Sequence, residues 1–190
     1  MARTKKTKVS IDTMFFVTPE QKLMRFLLTE PTTTFTPRVL SSKLKGVRGL
    51  GGVDGIKRIL DELATLGLIH WVNNNQGVCL HNDNTFVQSL KALSALCDLE
   101  GIKEMLEPIS TAGILFGSRA NGRARSDSNY DIFIVSQTPE EVRKIVTRHP
   151  LGKRIELHVT DPEDYSRISK QDPIMAQKLE EGVYMWGSSW

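Results

Sequence analysis

The sequence predicts an α+β fold in two halves: helices and a hairpin first, then a mixed sheet with flanking helices. Over residues 18–66, apolar residues recur at helical spacing. Residues 68–80 then form two short strand-like runs around an Asn-rich turn, which is typical of a β-hairpin. After residue 108, buried-strand patterns alternate with polar loops, so the second half should contain a sheet covered by helices.

The composition is typical of a soluble globular protein, with 39% hydrophobic and 25% charged residues among 190. No apolar run approaches the ~20 residues that cross a bilayer, and no apolar segment follows the basic N-terminus. A cytoplasmic protein without a membrane partner is therefore predicted. Cys79 and Cys97 lack metal-binding spacing and fall in apolar patterns, so both are predicted to be core thiols.

Charge is divided unevenly along the chain. Residues 1–84 hold 12 Lys and Arg against 7 Asp and Glu, whereas residues 85–190 hold 13 against 15. Four of the basic residues lie in the first eight positions. Residues 1–15 are therefore interpreted as a basic disordered arm, which either contacts nucleic acid or stays solvated.

Helix-start signals divide the segment that follows the arm. Thr18 and Thr36 each precede a proline, which places the threonine at the N-cap and the proline at the first helical position. A third helix is predicted from about Val53 to Leu66, and Gly67 is placed as its C-terminal cap.

Three short helices followed by a hairpin outline a winged helix-turn-helix, and the string IKRILDELATLGLIHW resembles the recognition-helix-to-wing passage of winged-helix regulators. The resemblance covers residues 16–84 and implies binding of double-stranded DNA, commonly by a homodimer that reads paired half-sites. Residues 48–52 (RGLGG) are predicted to form a longer, looser turn than the family's usual one. There are two alternatives to DNA binding: the charged residues form a solvated helix face, or the module is a protein-contact surface. The candidate DNA-binding residues are Lys43, Lys45, Arg48, Lys57 and Arg58.

Residues 85–108 carry apolar residues at helical spacing and are predicted to form a helical connector. Gly101 could break this helix in two. The connector would either act as a spacer or present an apolar stripe to a second copy of the chain.

The motif that carries chemistry occupies residues 111–135, TAGILFGSRANGRARSDSNYDIFIV. Gly117 and Ser118 follow a buried strand and open a short helical turn, where free backbone N–H groups favour a phosphate. Arg119 could neutralise a triphosphate, and Asp131 lies at the start of the second buried strand. The further candidate cations in the loop are Arg123 and Arg125.

The order Gly-Ser, a spacer, then Ser128-Asn129-Tyr130-Asp131 resembles the nucleotidyltransferase superfamily, in particular its minimal nucleotidyltransferase, or DNA polymerase beta-like, branch. In that family, two aspartates on this strand and a third acid on a neighbouring strand hold divalent metal ions. The resemblance implies a domain over residues 109–190 that binds an NTP and Mg²⁺ or Mn²⁺. It implies Asp131 and Glu156 as catalytic residues, Asn129, Asp131 and Glu156 as metal ligands, and Gly117, Ser118, Arg119 and Ser128 as nucleotide-binding residues.

Asn129 stands where the family has an aspartate. An amide carbonyl can ligate Mg²⁺, but it brings no negative charge and cannot act as a general base. Metal binding is therefore predicted to be weakened and catalysis impaired. Glu156 should share a strand face with His158, which is either a base near the site or a histidine packed under a helix.

Three functions follow from these patterns. The first is a nucleotide-binding transcriptional regulator with an impaired metal site, which the basic N-terminal half and Asn129 favour. The second is an active, antitoxin-like transferase that moves NMP from NTP to a hydroxyl on a small molecule or on a separate protein acceptor, such as a toxin partner. The third is a protein-interaction module in which neither site is active.

Overall fold

The computed structural model describes residues 9–187, so the first eight residues of the predicted basic arm lie outside the described part of the chain. The last residues of that arm form a short helix, α1 (Ile11–Phe15). Ser10 caps it, accepting a hydrogen bond from the Thr13 backbone N–H. The Ile11 N–H donates to the Glu100 carboxylate at 3.1 Å, which ties this segment to the rest of the molecule. Residues 11–15 are therefore not a disordered arm.

The three predicted helices are confirmed as α2 (Pro19–Thr29), α3 (Pro37–Lys43) and α4 (Gly52–Thr65). Thr18 and Thr36 cap the first two as expected, and each accepts a hydrogen bond from the third residue of its helix. The hairpin is also confirmed, with β1 (Ile69–Val72) antiparallel to β2 (Gly77–Leu80).

The glycine-rich turn before α4 is packed rather than loose. Gly49, Gly51 and Gly52 adopt positive φ angles of 89°, 69° and 66°, which side chains rarely allow. Leu50, between them, is 5% exposed and belongs to the N-terminal core. At the other end of α4, Gly67 also has positive φ, and the Leu68 N–H bonds the Leu63 carbonyl, as predicted for a glycine cap.

The connector is one continuous helix, α5 (Thr85–Leu106), that Gly101 does not interrupt. Val87 and Cys97 of α5 pack into the N-terminal core, whereas Leu99 and Ile102 pack into the core of the second half. The helix is thus shared by two cores and is not a spacer, because its buried positions contact both halves. No helix in residues 9–187 combines the length and apolarity needed to span a membrane.

The second half is a four-stranded mixed sheet in the order β5–β4–β3–β6. Its strands are β3 (Ala112–Phe116), β4 (Tyr130–Val135), β5 (Ile155–Thr160) and β6 (Val183–Trp186). β4 and β5 are parallel, and the other neighbours are antiparallel. The helices are α6 (Gly117–Ala120), α7 (Pro139–Arg148), α8 (Pro162–Gln171) and α9 (Pro173–Glu180). The predicted mixed sheet with flanking helices is confirmed.

The two faces of this sheet carry different cores. Ile132 and Ile134 pack with Val142 of α7 and Leu99 of α5, whereas Phe133 packs on the other face with residues of α8 and α9. Because side chains alternate along a strand, Asp131 shares the face of Phe133. The two cysteines, Cys79 and Cys97, are free thiols; Cys97 is buried, and burial raises its pKa to about 11.

A buried polar cluster joins the halves. Arg25 of α2 forms ion pairs with Asp12 at 2.7 Å and with Asp98 of α5 at 2.5 Å, and it also donates to the Ser94 hydroxyl. The Tyr130 hydroxyl donates to the other Asp98 oxygen at 2.7 Å. Burial and then Asp98 raise the pKa of Tyr130 to about 12, so it remains a donor at neutral pH. The cluster therefore connects the N-terminal helices to the start of β4.

Candidate functional site

Asp131 and Glu156 lie side by side on parallel strands. They are register partners in the β4–β5 pair, so both side chains leave the sheet on the same face, as the sequence predicted. They line a pocket of about 280 Å³, which we call the carboxylate pocket. Its charged and titratable lining residues are Asp131, Glu156, His158, Lys178 and Glu181, and Gly117 lies at its edge.

The pocket makes negative charge costly. Burial, and then the neighbouring Glu156 carboxylate, raise the pKa of Asp131 above its usual range. His158, Lys178 and Arg119 act in the opposite direction. A cation bound beside the Asp131 carboxylate would offset the cost of its negative charge.

Gly117 is required by the position of Asp131. Phe116 and Asp131 are partners in the β3–β4 pair, and the chain turns at Gly117 with φ of 69°. A Cβ at this position would overlap the Oδ2 atom of Asp131. Glycine therefore allows the carboxylate to lie against the backbone of the turn, where the half-buried Ser118 follows.

Arg119 is buried and holds the loop that precedes β4. Its side chain is 5% exposed, and its guanidinium donates to the backbone carbonyls of Ser128 at 2.7 Å and Asn129 at 3.1 Å. It also stacks over the Tyr130 ring at 4.0 Å. Arg119 as a nucleotide ligand therefore stays a prediction, and in this geometry its donors hold the loop before β4.

Ser128 and Asn129 belong to this loop rather than to the carboxylate pocket. The Ser128 hydroxyl accepts from the Arg125 backbone N–H at 2.9 Å, which closes a turn. Asn129 is exposed, and it does not contribute to the pocket lining. Asp127 is also exposed, facing Arg125 at 3.7 Å. Neither Asp127 nor Asn129 thus lines the pocket beside Asp131, and Asn129 as a metal ligand stays a prediction.

The described residues fit one hard cation better than two. In residues 9–187, no three His, Cys, Asp or Glu side chains lie together as a metal-binding set. Asp131 and Glu156 are adjacent carboxylates on one face of the β4–β5 pair. Mg²⁺ is commonly bound by one or two carboxylates together with substrate phosphates, so this pair fits a single ion completed by a nucleotide.

Helix α9 brings residues to the pocket that the sequence did not single out. Met175 and Lys178 of α9 line it, together with Glu181, the residue that follows the last turn of α9. Their spacing of three residues places them on one helical face, which is the signal that could have identified them. His158, predicted either as a base or as a packed histidine, lines the pocket and lies 5.7 Å from the Phe116 ring, measured between ring centroids.

The predicted DNA-binding residues all lie on the surface. Lys57 and Arg58 are exposed on α4, whose opposite side buries Ile56, Ile59 and Leu60. Lys43, Lys45 and Arg48 are exposed around the turn that precedes α4. Across the described ranges of the chain, none of these five side chains forms an ion pair with a carboxylate.

Comparison with known families agrees with the motif. Residues 97–181 match the family model described as a nucleotidyltransferase domain. This match supports the nucleotidyltransferase superfamily for that part of the chain, and the mixed sheet with flanking helices is consistent with a nucleotidyltransferase-like domain. The match begins inside α5 rather than after it. No curated protein matches the sequence significantly.

Proposed function

We propose that the chain is a nucleotide-responsive DNA-binding regulator, in which a nucleotidyltransferase-like domain binds a nucleotide and one cation with impaired turnover. The observation that carries this proposal is the pairing of Asp131 with Glu156 in one pocket, from which Asn129 is absent. Two carboxylates can hold one cation, whereas a two-metal site needs further anionic ligands.

The pocket offers complementary groups for a nucleoside triphosphate. Lys178 lines the pocket and supplies positive charge near Asp131, where it could pair with phosphate oxygens. Asp131 and Glu156 would hold Mg²⁺ or Mn²⁺, which when bound would offset the charge of the phosphates. Arg119 acts indirectly, since it holds the carbonyls of the loop that leads into β4.

We expect nucleotide binding to depend on metal and on the paired carboxylates. In calorimetric titrations with ATP or GTP, the affinity should fall at least ~10-fold when EDTA replaces Mg²⁺, a change of about 1.4 kcal/mol. Asp131→Asn and Glu156→Gln should produce a similar loss, because each leaves a single carboxylate for the cation. Glu141→Gln, at an exposed position on α7, is the matched control and should leave the affinity unchanged. Full affinity in the Asp131→Asn variant would rule out this pocket.

The N-terminal half is proposed to be a winged helix-turn-helix that binds double-stranded DNA. Its order of α2, α3, α4 and a hairpin supports this proposal, as does an isolated bridge in which Phe35 pairs with Val78 of the hairpin. Lys57 and Arg58 lie on the exposed side of α4, where they are available for phosphate or base contacts.

DNA affinity should fall steeply with salt, because each phosphate contact releases a counterion. We expect Lys57→Ala and Arg58→Ala each to weaken binding and to reduce the slope of log K against log salt by about 1 if they contact phosphates. Lys144→Ala, at an exposed position on α7 outside the module, is the control. Fluorescence anisotropy across a salt series measures the DNA affinity of the wild type and of these three variants. Affinity that is absent, or that does not change with salt, would favour a protein-contact surface instead.

The second candidate is an active transferase, which the retention of both Asp131 and Glu156 in the pocket favours. Such an enzyme would transfer label from α-labelled NTP to a hydroxyl of a separate acceptor in the presence of Mg²⁺ or Mn²⁺. Robust labelling by the wild type that is lost in Asp131→Ala would establish this function over the regulator.

A further inference from the structure

A second charged depression lies between the two halves of the molecule, away from the carboxylate pocket. Its volume is about 230 Å³, and we call it the basic crevice. Thr32 and Asn82 contribute to its lining from the N-terminal half, and Lys91 contributes from α5. Arg123 and Arg125 contribute from the loop between α6 and β4.

Lys91 is a buried cation in this crevice with a neutral partner. Its side chain is 6% exposed, and its Nζ donates to the Asn82 Oδ1 atom at 2.9 Å. In the described residues, no carboxylate forms an ion pair with it. An ammonium has three donors, so an amide oxygen leaves most of its hydrogen-bonding capacity and all of its charge uncompensated.

The surroundings add positive charge rather than removing it. Arg123 has no ion pair within residues 9–187, and Arg125 faces the exposed Asp127 at 3.7 Å, a weak contact in water. Burial, followed by the nearby Arg119 guanidinium, lowers the pKa of Lys91. Asp83 is the single acid among the lining residues that the structure describes. Three cations therefore converge on the crevice against one carboxylate.

We propose that the basic crevice binds a small phosphate-bearing anion. Guanidinium groups bind phosphate oxygens through paired N–H donors. The Lys91 ammonium, which lines the crevice at a buried position, can add another charged donor. The Thr32 hydroxyl, which contacts the Ser126 hydroxyl at 3.0 Å across the same boundary, adds a neutral donor. Such an anion would contact both halves at once. This site is independent of the proposed function, since neither Asp131 nor Glu156 lines the crevice.

The test is calorimetric titration of the full chain with inorganic phosphate, with sodium chloride of equal ionic strength as the reference. We expect saturable binding at one site per chain. Arg123→Gln and Arg125→Gln should each weaken it ~10-fold, the usual effect of losing a charge-assisted hydrogen bond. Lys91→Met should abolish it. A parallel titration with a nucleoside monophosphate distinguishes a phosphate ester from free phosphate as the ligand. If the monophosphate binds more tightly than inorganic phosphate, the ligand is an ester. If the two bind equally, the ligand is free phosphate.

Two control variants keep the result interpretable. Arg148→Gln, at an exposed position on α7, and Asp131→Asn, in the carboxylate pocket, should both bind phosphate as the wild type does. Because Arg123 and Arg125 are exposed, their variants remain informative even if Lys91→Met does not fold. The proposal is overturned if phosphate binds no better than chloride, if both arginine variants keep wild-type affinity, or if Asp131→Asn loses the binding.

Discussion

Replacement of Arg25 by methionine is expected to lower the free energy of unfolding by about 2 kcal/mol, because it removes the cation shared by two partly buried ion pairs. The Arg25 side chain is 14% exposed and bonds Asp12, Ser94 and Asp98. Methionine keeps most of the side-chain volume but leaves the Asp98 carboxylate without its cation. Urea unfolding followed by circular dichroism measures the change.

Arg38→Met provides the matched control, since Arg38 is exposed on α3 and forms no ion pair in the described part of the chain. Its effect should lie within about 0.5 kcal/mol of zero, as for most surface substitutions. A loss below about 1 kcal/mol in Arg25→Met would mean that its ion pairs contribute no more than solvent-exposed pairs do. The proposed role of this cluster in joining the halves would then be wrong.

Gly117→Ala is expected to disturb the carboxylate pocket by displacing the Asp131 carboxylate. Alanine at φ of 69° is strained by about 1 kcal/mol, and its Cβ would overlap the Asp131 Oδ2 atom. The carboxylate must therefore move from the position it shares with Glu156. We expect metal-dependent nucleotide affinity to fall at least ~10-fold, together with a loss of about 1–3 kcal/mol in the free energy of unfolding.

Gly46→Ala is the control for this substitution. A methyl group at Gly46 would meet no atom of the described residues within 4 Å beyond its chain neighbours, and Gly46 is not among the positive-φ glycines. Calorimetry and urea unfolding should find both nucleotide affinity and stability close to those of the wild type. If Gly117→Ala binds nucleotide with wild-type affinity while its free energy of unfolding falls, nucleotide binding does not require the observed position of Asp131. The inference that Gly117 positions Asp131 for binding would then be wrong.

The resemblance to nucleotidyltransferases implied that Asp131 and Glu156 share a site, and the period-two alternation of strand residues indicated the sheet face of each side chain. The caps at Thr18 and Thr36 could be predicted for a similar reason, since the chemistry of a helix start is local. These features depend on neighbours in sequence. Local patterns are therefore sufficient for the helix starts and for the strand faces, whereas the association of the two carboxylates was implied by the resemblance.

The position of Arg119 could not be predicted, because it depends on contacts between distant segments. Its stacking partner is Tyr130, and its hydrogen-bond acceptors are the carbonyls of Ser128 and Asn129, which only the folded loop presents. The contribution of α5 to both hydrophobic cores could not be predicted either. A helix buried on several sides carries no single apolar stripe, so its sequence does not indicate which cores it enters.

The stoichiometry of Mn²⁺ in the nucleotide-loaded protein tests the one-cation site most directly. Electron paramagnetic resonance can count the Mn²⁺ bound per chain in the presence of a non-hydrolysable NTP analogue. The pairing of Asp131 with Glu156, without a carboxylate at position 129, predicts one ion in the wild type and none retained at this site in Asp131→Asn. Two ions per wild-type chain, or one ion that persists in Asp131→Asn, would contradict the account.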